Sequence, residues 1–162
     1  MKNYDIYTDG SHLKFSSGRL GAGGVLIDSS KELPIGKKLD EFSIELLPEY
    51  MKMSYGSDKI SNPTAELMAV LLALQIFGKN LKDCDMITIH ADYLGVKEWM
   101  TGGWKIREPY IQRIKNDIDS EINKLNLQGK IMYSWVKGHQ KSSSPEAYWN
   151  NYVDRLATGK KE

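Results

Sequence analysis

The 162 residues, 41% of them hydrophobic, suit one domain over residues 1–162 with a sizeable core. A net charge of +1 decides nothing about a polyanionic partner, and the single cysteine, Cys84, excludes an internal disulfide framework and a cysteine-based zinc cluster. Because the longest apolar stretches are too short to span a bilayer and no signal-peptide core precedes the first strand, we expect a cytoplasmic protein with no membrane partner.

The first predicted element is a strand over residues 4–8 that is followed by Asp9, Gly10 and Ser11. Tyrosine, isoleucine and threonine favour a strand, whereas a carboxylate followed by glycine favours a tight turn. The pattern therefore predicts that Asp9 lies at the tip of a strand. An Asx turn that merely opens a hairpin is the alternative interpretation.

The second and third strands are predicted over residues 21–27 and around residues 41–47. The glycines of the second strand do not match a dinucleotide-binding fingerprint, and close backbone approach explains them better. In the third strand, Phe42, Ile44 and Leu46 alternate with polar residues. The rest of the segment from Asp28 to Ser61 predicts no definite structure, and a polar loop is expected after the third strand.

A helix is predicted to begin at Asn62, with Asn62 as its N-cap and Pro63 at the first helical position. Its apolar residues recur at helical spacing as far as Phe77, and the helix is expected to end near Gly78. Glu66 lies beside this apolar stripe near the N-terminal end. Taken alone, it is more simply explained as a surface acid favoured by the helix dipole.

A fourth strand over residues 86–92 again ends in an acid, Asp92. Where neighbouring strands run parallel, ligands bind just beyond their carboxyl ends, so Asp9 and Asp92 are candidates for one shared site.

Two helices are predicted next, one around Val96 and Trp99 and one from Arg107 to Leu125. Basic residues lie among aromatic ones here, a pattern that fits phosphate contact and base stacking, although solvated lysines on a helix surface are the commoner explanation. These residues are Lys97, Lys105, Arg107, Arg113 and Lys115, with Trp99, Trp104 and Tyr110.

The chain closes with a strand over residues 131–136, a polar loop that carries His139, and a helix from Ala147 that carries Asp154. The element order β-β-β-α-β-α-α-β-α predicts an α/β fold, a mixed sheet with helices on its faces.

Four acids stand out from this survey: Asp9, Glu66, Asp92 and Asp154. Their mutual repulsion would be very costly without a cation, whereas oxygen-rich clusters of this kind bind Mg²⁺ or Mn²⁺. Two such ions about 3.5–4 Å apart can activate a water and stabilise the leaving oxygen of a phosphodiester. His139 is placed to transfer protons.

Six motifs occur in chain order and span nearly the whole sequence. They are Tyr7-Thr8-Asp9-Gly10-Ser11, Gly21-Ala22-Gly23-Gly24, Asn62-Pro63-Thr64-Ala65-Glu66-Leu67, Ile89-His90-Ala91-Asp92, Trp135-Val136-Lys137-Gly138-His139 and Asn150-Asn151-Tyr152-Val153-Asp154. Together they resemble the type 1 ribonuclease H family. The resemblance implies an RNase H fold, a five-stranded mixed sheet with its first three strands antiparallel. It also implies Mg²⁺-dependent cleavage of the RNA strand of RNA/DNA hybrids, leaving 3′-hydroxyl and 5′-phosphate ends.

By the same resemblance, the four acids are the ligands of two Mg²⁺ ions, for which Mn²⁺ can substitute, and His139 assists proton transfer or product release. Asn62 and the backbone at Gly10 and Ser11 would contact the hybrid, where a 2′-hydroxyl distinguishes RNA from DNA. Trp104-Lys105 looks like the remnant of a longer basic protrusion.

The sequence departs from the family in several places. Tyr93-Leu94 stands where the family often has serine and glutamine, which predicts the loss of a hydrogen bond to the hybrid. Asn151 stands where a glutamate is usual, and the segment around residues 31–61 is longer than usual.

Three other functions are weighed against a monomeric hybrid-cutting enzyme. An integrase-like or resolvase-like enzyme would share the acidic cluster but usually lacks the Gly138-His139 loop. A binding module without chemistry would normally have lost at least one of the acids. A structural metal site is disfavoured because no calcium-binding type of loop surrounds the acids.

Overall fold

The computed structural model describes residues 2–12, 19–29, 36–56, 61–138 and 144–159, with His12 described by its backbone alone. Five strands and five helices occur in these ranges, and a short 3₁₀ turn, Gly78–Leu81, follows the second helix. The strands are β1 (Asn3–His12), β2 (Leu20–Asp28), β3 (Lys37–Leu46), β4 (Met86–Ala91) and β5 (Ile131–Trp135). The helices are α1 (Pro48–Tyr55), α2 (Asn62–Phe77), α3 (Leu94–Thr101), α4 (Pro109–Lys124) and α5 (Pro145–Thr158).

The five strands form one mixed sheet in the order β3-β2-β1-β4-β5. β1 pairs antiparallel with β2, and β2 pairs antiparallel with β3. β1 pairs parallel with β4, and β4 pairs parallel with β5. The five-stranded mixed sheet with its first three strands antiparallel is therefore confirmed.

Hydrophobic residues fill both faces of the sheet. The larger cluster includes nearly the whole of α2, while the smaller cluster, on the α5 side, contains Tyr7, Val25, Ile27, Trp149 and Val153. α2 with its 3₁₀ extension, Asn62–Leu81, has 20 residues and a mean hydropathy of 1.2, which would suffice in length and composition to cross a membrane. Because 72% of that apolar stretch is buried within the fold, its hydrophobicity is accounted for by the protein core.

β1 does not end at Asp9, and this corrects the expectation of a turn. The strand continues to His12, with Asp9 opposite Gly23 and Gly10 opposite Ala22 of β2. The parallel pairing with β4 stops one residue earlier, at Thr8 and Ala91. Asp9 therefore lies inside an antiparallel strand but just beyond the parallel part of the sheet, and neither a strand tip nor an Asx turn describes it.

Gly10 is required for close packing and not for a turn. A Cβ atom on this residue would lie 2.2 Å from the carbonyl carbon of Ala65 and 2.4 Å from the backbone nitrogen of Glu66. Only a residue without a side chain lets the first turns of α2 approach β1 this closely. The helix that carries Glu66 is thereby held against the strand that carries Asp9.

The segment after β3 contains a helix where a polar loop was expected. α1 begins with Pro48 and ends at Tyr55, and Gly56, which follows it, has the left-handed backbone conformation common after helices. Met51 and Tyr55 are buried, and the Tyr55 hydroxyl donates a hydrogen bond of 2.8 Å to Asp117 of α4. Other boundaries differ slightly: Ser61 and not Asn62 is the N-cap of α2, and α4 begins at Pro109 and not at Arg107.

Replacing Tyr55 by phenylalanine tests how α1 is attached. We expect the free energy of unfolding to fall by about 1 kcal/mol, since the hydrogen bond between the buried Tyr55 and the exposed Asp117 is lost. Denaturant unfolding of Tyr55→Phe and of Tyr50→Phe, whose side chain is 50% exposed, makes the comparison. Equal stability of the two variants would show that the bond does not hold α1 in place.

Candidate active site

Three carboxylates meet where α2 crosses the sheet next to the last parallel pair of β1 and β4. Asp9 lies on β1, Glu66 on α2, and Asp92 directly after β4, and their ligand oxygens all lie within 4.8 Å of one another. Asp9 and Glu66 are buried, with 3% and 5% of their surface exposed, while Asp92 is half-buried. We call Asp9, Glu66 and Asp92 the carboxylate group. Its three members come from segments far apart in sequence and are brought together only by the fold.

One oxygen of Glu66 is satisfied by the chain and the other is not. The backbone N–H of Gly10 donates a hydrogen bond of 3.1 Å to Glu66 Oε1. Glu66 Oε2 is buried and has no hydrogen-bond partner within the described ranges. A buried carboxylate oxygen without a donor is costly unless a proton or a cation occupies its open side. Three carboxylates whose oxygens converge at this point are suitable ligands for a hard divalent cation such as Mg²⁺ or Mn²⁺.

Burial and mutual repulsion both act on the carboxylate group. Burial is the main cause that raises the pKa of Asp9, and the charge of Glu66 raises it further. Burial likewise raises the pKa of Glu66, and the charge of Asp92 adds to this, against the lowering effect of hydrogen bonds from the Asp9 carboxyl and the Gly10 N–H. Without a cation, the two buried carboxyls therefore hold protons at pH values where free carboxyls are ionised.

The fourth acid, Asp154, lies on α5 and acts on this group through its charge. The charge of Asp154 contributes to raising the pKa of both Asp9 and Glu66. α5 approaches the sheet closely at Gly23, where a Cβ atom would lie 2.9 Å from the carbonyl oxygen of Val153. Since Gly23 is the register partner of Asp9, the fold brings the half-buried Asp154 towards the other three acids.

Two residues that support Asp92 were not identified from the sequence. The indole N–H of Trp135 donates a hydrogen bond of 3.0 Å to the Asp92 carbonyl oxygen. Gly138 lies so close that a Cβ atom there would be 3.2 Å from Asp92 Oδ2. Both residues belong to the motif that ends in His139. The sequence analysis gave a role only to the histidine of this motif, although the motif also contains the two residues next to Asp92. His139 itself lies outside the described residues.

The remaining predicted contact residues lie on three parts of the fold. Gly10 and Ser11 follow Asp9 on β1, and Asn62 is the exposed first residue of α2. Trp104 and Lys105 are exposed in the segment between α3 and α4. No hydrogen bond or ion pair within the described ranges settles the roles of these five residues, which remain predictions.

A cation at this site should stabilise the fold more at pH 8 than at pH 5. Mg²⁺ or Mn²⁺ must displace protons from carboxyls whose pKa is raised, so its binding weakens as the pH falls. We expect a saturating ion to raise the midpoint of thermal unfolding by about 5 °C at pH 8 and by about 1 °C at pH 5. Calorimetry with the divalent ion, and with K⁺ at the same ionic strength as a reference, measures the shift in the unfolding midpoint. Equal shifts at the two pH values would indicate that the ion binds outside the carboxylate group.

The fold and the carboxylate group define the chain as an α/β protein with an acidic site suited to divalent cations. The family model for RNase H matches residues 1–162. Ribonuclease H of Francisella tularensis subsp. novicida is 35% identical over 116 residues, covering 65% of this chain and 69% of that protein. Ribonuclease H of Thiobacillus denitrificans is 32% identical over 114 residues, with 65% and 70% covered. The chain belongs to the RNase H family, and these relatives group it with ribonuclease H enzymes.

Solved structures give the same fold. RNase H1 of the archaeon Halobacterium salinarum superposes with a TM-score of 0.70 at 19% identity, covering 98% of this chain and 96% of that one. LC11-RNase H1, solved in complex with an RNA/DNA hybrid, superposes with a TM-score of 0.69 at 21% identity, with 96% and 94% covered. The architecture is therefore that of the RNase H fold.

Proposed function

We propose that this enzyme hydrolyses the RNA strand of RNA/DNA hybrids with two divalent metal ions, leaving 3′-hydroxyl and 5′-phosphate ends. The observation that supports the proposal best is the carboxylate group, three converging acids with one buried oxygen, Glu66 Oε2, without a donor. Family membership and the hybrid bound to the structurally similar LC11-RNase H1 support the substrate. We further propose a cytoplasmic monomer that uses Mg²⁺, for which Mn²⁺ can substitute.

In this proposal Asp9, Glu66, Asp92 and Asp154 hold the metal ions. When bound, such ions activate a water and stabilise the charge that develops on the leaving oxygen. The Gly10 N–H fixes Glu66, while Trp135 fixes the backbone at Asp92, so that both carboxylates keep their direction as substrate binds. His139 transfers a proton or aids product release.

In this proposal, residues of β1 and α2 recognise the RNA strand of the hybrid. The backbone at Gly10 and Ser11 and the side chain of Asn62 approach the RNA strand, where the 2′-hydroxyl distinguishes a ribonucleotide from a deoxyribonucleotide. Trp104 and Lys105 offer an exposed ring and a cation to the same nucleic acid, the ring for stacking and the cation for phosphate.

Cleavage of end-labelled substrates tests the substrate and the products together. A hybrid, an RNA duplex and a DNA duplex of one sequence are incubated with Mg²⁺ and then with Mn²⁺, and the new ends are identified by their reactivity to phosphatase and to polymerase. The proposal predicts cutting of the RNA strand of the hybrid alone, with 5′-phosphate and 3′-hydroxyl ends. Cutting of the DNA duplex would indicate an integrase-like enzyme, and hybrid binding without cutting would indicate a binding module.

A further inference from the structure

Tyr93 follows Asp92 directly and has its ring held in one direction. Its carbonyl oxygen accepts a hydrogen bond of 3.2 Å from the Val96 N–H at the start of α3. The ring lies over Gly95, where a Cβ atom would be 2.1 Å from Tyr93 Cε2 and 2.5 Å from Cζ. Any larger residue at position 95 would push the ring away. Gly95, the second residue of α3, therefore leaves the space that the ring occupies.

Tyr93 forms one aromatic block with Trp99 and Trp104. Its ring centroid lies 5.7 Å from that of Trp99 and 6.3 Å from that of Trp104, and the two indoles are 6.2 Å apart. All three pairs meet edge to face, an arrangement that aromatic rings prefer. Each ring therefore contacts the other two, and none can move without disturbing both neighbours.

Trp104 lies in an irregular segment whose other anchor is Ile106, a half-buried side chain packed against the core. Residues 102–108 form no helix or strand, and the backbone N–H of Trp104 donates a single hydrogen bond of 3.1 Å to Glu98. Its indole is nevertheless 40% exposed, and the side chains of Lys105 and Arg107 are exposed beside it. An exposed indole next to two cations suits a nucleic acid strand, since the ring stacks on a base and the cations meet phosphates.

We propose that Tyr93 is a positioning residue that fixes Trp104 at a set place relative to Asp92. A strand that stacks on Trp104 is then aligned with the carboxylate group through the contact between Trp104 and Tyr93, which Trp99 supports. The inference rests on the proposed function, because it assigns Trp104 to the nucleic acid. It also connects two departures from the family pattern: the ring of Tyr93 anchors the short segment that stands in place of a longer protrusion.

The arrangement predicts an effect on binding and not on the chemical step. Loss of the ring leaves Trp104 with one ring contact, to Trp99, in place of two, so its indole is less ordered and part of the binding energy is used to order it again. Base stacking on an aromatic ring accounts for roughly tenfold or more in affinity, which sets the scale of the loss. A change in binding that is equal in the ground state and the transition state raises KM and leaves kcat unaltered.

The experiment compares Tyr93→Ser, Tyr93→Phe and Trp104→Ala in two assays. Fluorescence anisotropy with a labelled hybrid in EDTA gives the dissociation constant without cleavage, and steady-state cleavage gives kcat and KM. We expect Tyr93→Ser to weaken binding and to raise KM about tenfold with kcat within about twofold of the wild type. Tyr93→Phe should bind as the wild type does, because the ring is kept. The double variant Tyr93→Ser/Trp104→Ala should bind no more weakly than Trp104→Ala.

Gly95→Ala tests the same contact without changing either ring. Its methyl group displaces the Tyr93 ring, so we expect the tenfold loss of affinity again. In the Tyr93→Ser background the same substitution should change nothing further, because no ring is left to displace. Tyr4→Ser is the matched control, since it removes another half-buried tyrosine that lies on β1, about 17 Å of strand before Asp9.

Two results would overturn the inference. One is a fall in kcat at unchanged KM in Tyr93→Ser, which would place Tyr93 at the chemistry. The other is additive loss of affinity from Tyr93→Ser and Trp104→Ala, which would make the two residues independent. The anisotropy assay separates these failures from a failure of the proposed function, because it reports the coupling between Tyr93 and Trp104 even if the wild type cleaves no hybrid.

Discussion

Asp9→Asn should abolish activity and at the same time make the metal-free protein more stable. The variant loses a ligand at the centre of the carboxylate group, so the rate of hybrid cleavage should fall at least about 10³-fold, a loss of about 4 kcal/mol in transition-state stabilisation. In EDTA at pH 8 its free energy of unfolding should exceed that of the wild type by roughly 2 kcal/mol, because two buried carboxyls no longer compete for ionisation.

The gain in stability should depend on pH in a definite direction. The pKa of Asp9 and of Glu66 is raised in the folded state, so wild-type stability is greatest below the pKa of the unfolded carboxyls and falls as the pH rises above it. The advantage of Asp9→Asn should therefore be small at pH 5 and large at pH 8. Urea unfolding in EDTA at both pH values measures it. A variant that is less stable than the wild type at pH 8 would contradict the repulsion described for this site.

Gly10→Ala should lower both stability and activity, although it adds only one methyl group. That methyl would meet three backbone atoms of Ala65 and Glu66 at 2.2 to 2.5 Å, so α2 must move away from β1. We expect a loss of about 3 kcal/mol in the free energy of unfolding. Displacement of Glu66 by even 1 Å should in addition lower the rate of cleavage about 10²-fold.

Gly103→Ala is the matched control for stability. A methyl group there meets chiefly the carboxylate of Glu98, the far end of a flexible side chain that can turn aside. Thermal unfolding of the two variants should place Gly10→Ala about 6–12 °C below the wild type and Gly103→Ala close to it. Equal melting temperatures for Gly10→Ala and the wild type would mean that α2 does not depend on this contact.

Most of the sheet could be predicted from the sequence because its strands carry strong local signals. Alternating residues mark β3, and an apolar run ending in an acid marks β4. The end of β1 could not be predicted, because Asp9-Gly10 has the same local signature in a turn and in a strand against which a helix packs. α1 was missed since it has only eight residues, Pro48–Tyr55, and is held by the long-range contact of Tyr55 with Asp117.

The carboxylates of the candidate site could be predicted from the sequence, but the hydrogen bonds that hold them in place could not. Asp9 and Asp92 were predicted from strand endings, although β1 continues past Asp9 to His12, and Glu66, taken alone, was better explained as a surface acid. The structure buries it, because α2 is apolar on nearly every side and lies against the sheet. The Gly10 N–H on Glu66 and the Trp135 indole on Asp92 are contacts between distant segments, which no local pattern encodes.

The most direct test of the whole account is single-turnover cleavage of a labelled RNA/DNA hybrid in Mg²⁺ by the wild type, by Asp92→Asn and by Asp119→Asn. Asp119 is an acid on the outer face of α4, so its substitution controls for the loss of a negative charge. We predict cutting of the RNA strand by the wild type and by Asp119→Asn at similar rates, and a loss of at least about 10³-fold in Asp92→Asn with hybrid binding retained. Undiminished cutting by Asp92→Asn would contradict the assignment of the carboxylate group as the catalytic centre.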